Sequence, residues 1–191
     1  ENTLSLHDAL PILQAFIADR ANQATISSYV ARKALERTRR VDGNVFFVFF
    51  VNPDTGRVVV RTIRVDEVRE VIRNPQDRTE VRFYKRIWRD AGSEAKLGGE
   101  HVADYPDWRY LRECEIAEES PSAAGLPEGA TVLWDNPVYH LKAEHLDGMD
   151  FGIPETYVSL DWARAHKECL EDFKKTVKAL SKWAWTLKGG G

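Results

Sequence analysis

Residues 148–187 read GMDFGIPETYVSLDWARAHKECLEDFKKTVKALSKWAWTL, and this stretch decides the fold. Its opening, Phe151-Gly152-Ile153-Pro154-Glu155, predicts a sharp helix start. Proline has φ preset near the helical value and lacks an N–H that the first turn would leave unpaired. A glutamate there meets the positive end of the helix dipole. Val158, Trp162, Ala165, Cys169, Phe173, Val177, Leu180, Ala184 and Leu187 then step by threes and fours, one apolar stripe along roughly nine turns. Arg164, Lys167, Glu168, Glu171, Lys174, Lys175, Lys178 and Lys182 lie opposite, acids mostly early and lysines late, the order a helix dipole favours. Fully burying one such apolar side chain is worth about 1.5–3 kcal/mol. Leaving the whole stripe in water would forfeit more than a domain's net stability of roughly 5–15 kcal/mol. The helix is therefore expected to pack, and in so short a chain part of its partner is expected to be another subunit.

The composition around it is ordinary for a globular chain: 191 residues, 43% hydrophobic and 30% charged, with a net charge of −3. That balance argues against tight non-specific DNA binding, which needs a basic footprint, but not against a channel through which DNA slides. No apolar run approaches the roughly 20 residues that span a bilayer, and no basic n-region precedes an apolar core. Cys114 and Cys169 stand in unlike contexts and are expected to be reduced and structural.

Residues 1–12, ENTLSLHDALPI, fit nothing that follows; they are expected to be a non-native scar of translated sequencing-adapter DNA. Residues 13–187 are expected to form one truncated region, with 188–191 a tail. Gln14–Arg40 is helical in pattern, and its basic cluster of Arg32, Lys33, Arg37, Arg39 and Arg40 is read as a solvated face rather than a phosphate contact. Asp42-Gly43 ends that helix. Val45–Val51 is an unbroken apolar strand expected to be buried on both faces, joined through the turn Asn52–Gly56 to an alternating partner over Arg57–Arg64.

Asp66 is expected to cap a short helix over Glu67–Ile72. Thr79–Arg89 alternates as a strand, with Arg82, Tyr84, Arg86 and Trp88 on one side. That strip suits base stacking, and suits better an amphipathic edge or a neighbouring subunit. A polar loop is expected over Asp90–Asp107, a strand over Trp108–Ala117, a loop over Glu118–Gly129, and a second hairpin from Thr131–Trp134 and Val138–Ala143 with His140 at its centre. The order predicts an α+β fold: an N-terminal helix, an antiparallel sheet with hairpins, then the long C-terminal helix.

Catalytic patterns are thin. Asp150-Phe151-Gly152 spells a kinase metal triplet with none of the other kinase elements present. His140, Glu144, His145 and Asp147 suggest a metal hydrolase, yet the spacing misses the inverted zincin pattern and the segment reads as a strand, where His140 and His145 point apart. A hydrogen-bonded strand histidine is the competing reading. No catalytic, cofactor-binding or metal residue is assigned, and nucleic-acid-binding residues stay unassigned.

The run Pro137–Trp185 resembles the central region of portal proteins of tailed bacteriophages. In that family a strand ending in a Tyr-His pair leads through a Gly-rich turn to a Gly-x-Pro-Glu helix start and a long helix. Tyr139-His140, Gly148, Gly152-Ile153-Pro154-Glu155, Leu160–Ala165 and Leu170-Glu171-Asp172 carry the likeness. It extends back to about Asp19, with the hairpin after Gly43 resembling the portal wing. The resemblance implies a non-enzymatic structural subunit, without cofactor or membrane association, of a dodecameric ring in the virion, assembled in the host cytoplasm. Its implied partners are further copies of itself, the terminase large subunit, capsid and scaffolding proteins, a head–tail adaptor and double-stranded DNA passing through the channel. The alternative is a small stand-alone interaction module that docks through the long helix.

Overall fold

The computed structural model describes residues 6–52, 54–89, 99–146 and 148–187. It is a mixed α+β fold of N-terminal helices, two small antiparallel sheets and a long C-terminal helix. The chain divides into two compact units, one up to Pro154 and one from Glu155 onward.

The helical pattern of 14–40 is cut into pieces. Helix α1, Leu6–Ala18, runs across residue 12, and Asp19 then opens a short α2, Arg20–Asn22, by accepting from the Ala21 N–H. A π turn, Gln23–Ser27, follows. Ser28, extended, accepts from the Ala31 N–H and starts α3, Tyr29–Asp42. Asp and Ser side chains satisfy first-turn N–H groups that have no helical partner, so each of these residues restarts a helix rather than continuing one. Gly43, at φ 71°, closes α3 with its N–H on the Arg39 carbonyl, a left-handed cap that glycine takes without strain.

Strand β1, Asn44–Val51, and β2, Val58–Ile63, form the expected hairpin, with Phe46 opposite Ile63 and Val51 opposite Val58. The Asn52 carboxamide accepts from the N–H groups of Asp54 and Thr55 in the turn. Burial on both faces holds for Val45, Phe46 and Val48 only; Phe50 and Val51 at the far end are exposed. The outer edge of β2 is covered by a side chain. Asn22, fully buried, donates to the Val58 carbonyl (2.9 Å) and accepts from the Val60 N–H (2.9 Å), replacing a strand neighbour.

Four expectations are corrected. The helix over Glu67–Ile72 is a single 3-10 turn, Val65–Glu67, followed by strand β3, Val68–Arg73. Val68, Val71 and Ile72 are β-branched, and pairing with β4, Val81–Arg89, outweighs the capping signal. The polar loop contains strand β5, Glu100–Pro106, which pairs along the other edge of β4; residues 90–98 lie outside the described set. Trp108–Ile116 is helix α4, not a strand, because Asp107 caps it through the Arg109 and Tyr110 N–H groups. The second hairpin is absent: β6, Val138–Lys142, adds to β1, and Val132 makes only an isolated bridge to Asp104.

The sheets are therefore β2-β1-β6 and β3-β4-β5. They share one core of Phe46, Val48, Ile63, Val71, Tyr84, Tyr105 and Val138. On the other side of β4, Phe83 is fully buried edge-to-face against Tyr110 of α4 and Trp134.

The second unit is helix α5, Tyr157–Leu187, 31 residues and so about 46 Å long. It starts two residues beyond Glu155; the Ser159 N–H bonds to the Thr156 carbonyl, so Glu155 precedes the first turn instead of lying in it. The stripe is present, but Val158, Trp162, Phe173, Val177 and Leu180 are exposed, as are Trp183 and Cys169. The polar side is laced by Arg164–Glu168 and Lys175–Asp172 ion pairs. No helix among the described residues is long and apolar enough to cross a membrane.

Candidate functional site

In the first unit, His140 and Gly152 meet at one buried polar node built around Asn44. Asn44, 2% exposed at the head of β1, uses every polar atom of its side chain. Its Nδ2 donates to the carbonyls of Asp42 (2.9 Å) and Gly152 (3.1 Å). Its Oδ1 accepts from the Gly152 N–H (2.6 Å) and faces His140 Nε2 at 2.9 Å. Because Oδ1 only accepts, that contact fixes the proton of the neutral imidazole on Nε2. Cross-strand pairing puts His140 opposite Phe46, and the two rings stack at 3.9 Å. Tyr84 and Phe151 meet the imidazole edge-on. Burial, reinforced by Lys142 and His145, pushes the His140 pKa down to about 3, so the ring is neutral.

Glycine is required here by space. A Cβ on Gly152 would overlap the Gly43 carbonyl oxygen, and one on Gly43 would sit 2.7 Å from the Gly152 oxygen and the Pro154 nitrogen. The close approach lets the Ala143 N–H reach the Gly43 carbonyl (2.8 Å), tying β6 to the end of α3.

Beside this node opens a cleft of about 950 Å³ whose walls include Arg73, Arg78, Arg109, Tyr139, His140 and Lys142. Arg73 pairs with Asp150 (2.8 Å) and also donates to the carbonyls of Arg78 and Met149. Arg109 lies over the Tyr139 ring at 5.9 Å. Tyr84 donates to Asp107 Oδ2 (2.7 Å) at the cleft floor; burial raises both pKa values, with Asp107 adding to the rise at Tyr84.

The metal-hydrolase cluster does not assemble. His140 Nε2 is engaged by Asn44, Glu144 lies in a bridge with Ile153, His145 is exposed, and Asp147 lies outside the described residues. Among the described residues no group of three or more His, Cys, Asp or Glu side chains is placed to hold a metal ion. The stacking strip does not form either. Tyr84 is core, Arg86 pairs with Glu67 and covers Trp88 at 4.6 Å, and Arg82 pairs with Glu80. Arg39 and Arg40 bond to Glu36.

No family model, curated protein or solved structure matches this chain. Function is therefore argued from the residues. The sequence reading missed Asn44, Asn22 and Asp107. Asn44 does leave a signal, a polar residue of low strand propensity heading an otherwise apolar run. Asp107 leaves one as a capping residue before an i, i+3 apolar pattern.

Proposed function

We propose that this chain is the wing-and-helix part of a phage portal subunit, a structural component of the ring through which double-stranded DNA is packaged and ejected. Beyond the sequence likeness, the observation that carries the reading is the apolar face of α5. A helix about 46 Å long that exposes Trp162, Phe173, Val177 and Leu180 presents a surface of the kind that other protein covers. Neighbouring subunits of a ring supply that cover. The node at His140, Asn44 and Gly152 fits a structural role for the Tyr-His and Gly-x-Pro-Glu motifs, since the Asn44 amide is spent on the Asp42 and Gly152 backbone and on His140 Nε2. The terminase large subunit, capsid and scaffolding proteins and a head–tail adaptor are the partners that follow from this reading.

Electron microscopy of the protein made from the whole source reading frame tests it. Closed rings of roughly a dozen subunits are expected, the symmetric solution for a head-to-tail interface that closes. A monodisperse monomer or a discrete dimer overturns the ring, and a dimer held through α5 would favour the stand-alone interaction module instead.

A further inference from the structure

The exposed stripe of α5 reads the same from either end. Trp162, Ala165, Cys169, Phe173, Val177 and Leu180 are all exposed, and their spacings run three, four, four, four, three, symmetric about Glu171. Laid antiparallel on itself about that point, the row sets Trp162 opposite Leu180, Ala165 opposite Val177 and Cys169 opposite Phe173. Each larger side chain then meets a smaller one. Laid parallel in register, it sets Trp162 on Trp162 and Phe173 on Phe173 while Ala165 faces Ala165, a row that two helices about 8–10 Å apart cannot fill evenly.

Charge separates the two arrangements further. Asp161, Glu168, Lys175 and Lys182 recur at every seventh residue, so the helix brings them to one edge with a drift of only about 20° per step. Along that edge the acids come first and the lysines second. An antiparallel pair about Glu171 sets Asp161 at the level of Lys182 and Glu168 at the level of Lys175, whereas a parallel pair sets each charge at the level of its own copy. The whole helix divides likewise: from Tyr157 to Glu171 its formal charge is −1, and from Asp172 to Leu187 it is +3. Within one chain Glu168 holds Arg164 and Lys175 holds Asp172. Those bridges lie in solvent, where such pairs are weak and their charges still act on a neighbour.

We propose that the apolar face of α5 is covered by α5 of a second copy of this chain, running antiparallel about a two-fold axis near Glu171. Every contact in such a pair is made twice, and the interface closes at two subunits. The pairing is argued from α5 alone and does not rest on the portal reading. A ring would take up the same face, so under that reading the pair is the unassembled form of the chain. The ring is tested on the whole reading frame and the pair on this chain, so either can fail without the other.

Sedimentation velocity and spin labelling of the chain test it. A monomer–dimer equilibrium with Kd on the order of 10 μM or tighter is expected. A nitroxide at Ser159→Cys, with Cys114→Ser and Cys169→Ala removing the native thiols, reads the direction by electron–electron distance. Two such labels should lie about 36 Å apart in the antiparallel pair, against about 10 Å in a parallel one. A label at Lys178→Cys on the polar side gives the same contrast at about 21 Å, should the first variant fold poorly. Lys175→Glu should weaken the dimer about tenfold, and adding Glu168→Lys should restore it. A monomer at roughly ten times that concentration, or label distances of about 10 Å at both sites, overturns the pair. So does an affinity that Lys175→Glu leaves unaltered, or assembly beyond a dimer, which would give the face to other contacts.

Discussion

Acid should destabilise this fold through His140, and the size of the effect follows from the node. In the folded chain the ring is stacked on Phe46, donates from Nε2 to Asn44 and stays neutral down to about pH 3. Unfolded, it regains the ordinary imidazole value of 6.5 and takes up a proton below it. The unfolded state therefore binds more protons throughout the window between 6.5 and about 3, and stability rises with pH across it. Equivalently, stability is lost as pH falls below 6.5. Between pH 7 and pH 5 the unfolded ring changes from mostly neutral to almost fully protonated while the folded ring does not respond. At 1.36 kcal/mol per unit this costs about 2 kcal/mol, a large share of a small domain's stability.

Asp104 and Asp107, raised by burial, work in the opposite sense. The useful quantity is therefore a difference between variants. His140→Gln is neutral at every pH and keeps an N–H donor near Asn44. Denaturant unfolding of both proteins at pH 7 and pH 5 should show the wild type losing about 2 kcal/mol more than the variant on acidification. Equal losses would refute the argument, because they would mean that the imidazole can charge within the fold.

Three other perturbations probe separate joints. Asn22→Ala leaves the Val60 N–H and Val58 carbonyl without their partner; a cost of about 1–3 kcal/mol is expected, with amide exchange accelerated at Val60 ahead of its β1 neighbours. Gly152→Ala forces a methyl into the Gly43 carbonyl, and a loss of about 1–3 kcal/mol or more should appear as a lower Tm, whereas Gly129→Ala, with open space around it, should cost only the strain of its positive φ. Phe173→Asp alters an exposed position on α5; unfolding free energy should hold within about 0.5 kcal/mol while the mass in light scattering falls, and an unchanged mass would remove Phe173 from any self-contact.

What could be read from the sequence was what local rules determine. The β1–β2 hairpin is written in a turn whose Asn52 accepts two N–H groups and whose Gly56 takes a φ of 64°, and α5 in a period sustained over many turns. The errors fall where a partner decides. Val68–Arg73 is too short to settle between helix and strand until β4 lies beside it, and Glu100–Pro106 ends in a proline that no interior strand would tolerate. Trp108–Ile116 alternates by chance in charge while its apolar residues keep helical spacing, and the cap at Asp107 tips the balance. The cleft was illegible for a further reason, since its walls come from segments far apart in the chain that only folding brings together.

His140 shows why a chemical motif and a structural one are hard to separate by spacing alone. A histidine followed closely by acids and a second histidine invites a metal, and nothing in the letters records that Nε2 is already taken. The claimant is Asn44, 96 residues away, brought there by the pairing of β1 with β6. The same amide holds both backbone groups of Gly152. A residue so committed cannot give up Nε2 to a ligand without also loosening the segment that leads into Pro154. The Tyr139-His140 and Gly152–Glu155 segments and the fold's buried polar node are therefore one constraint, in which the histidine, the glycine and the distant asparagine depend on one another. Replacing any one of the three should lower stability before it alters any chemistry.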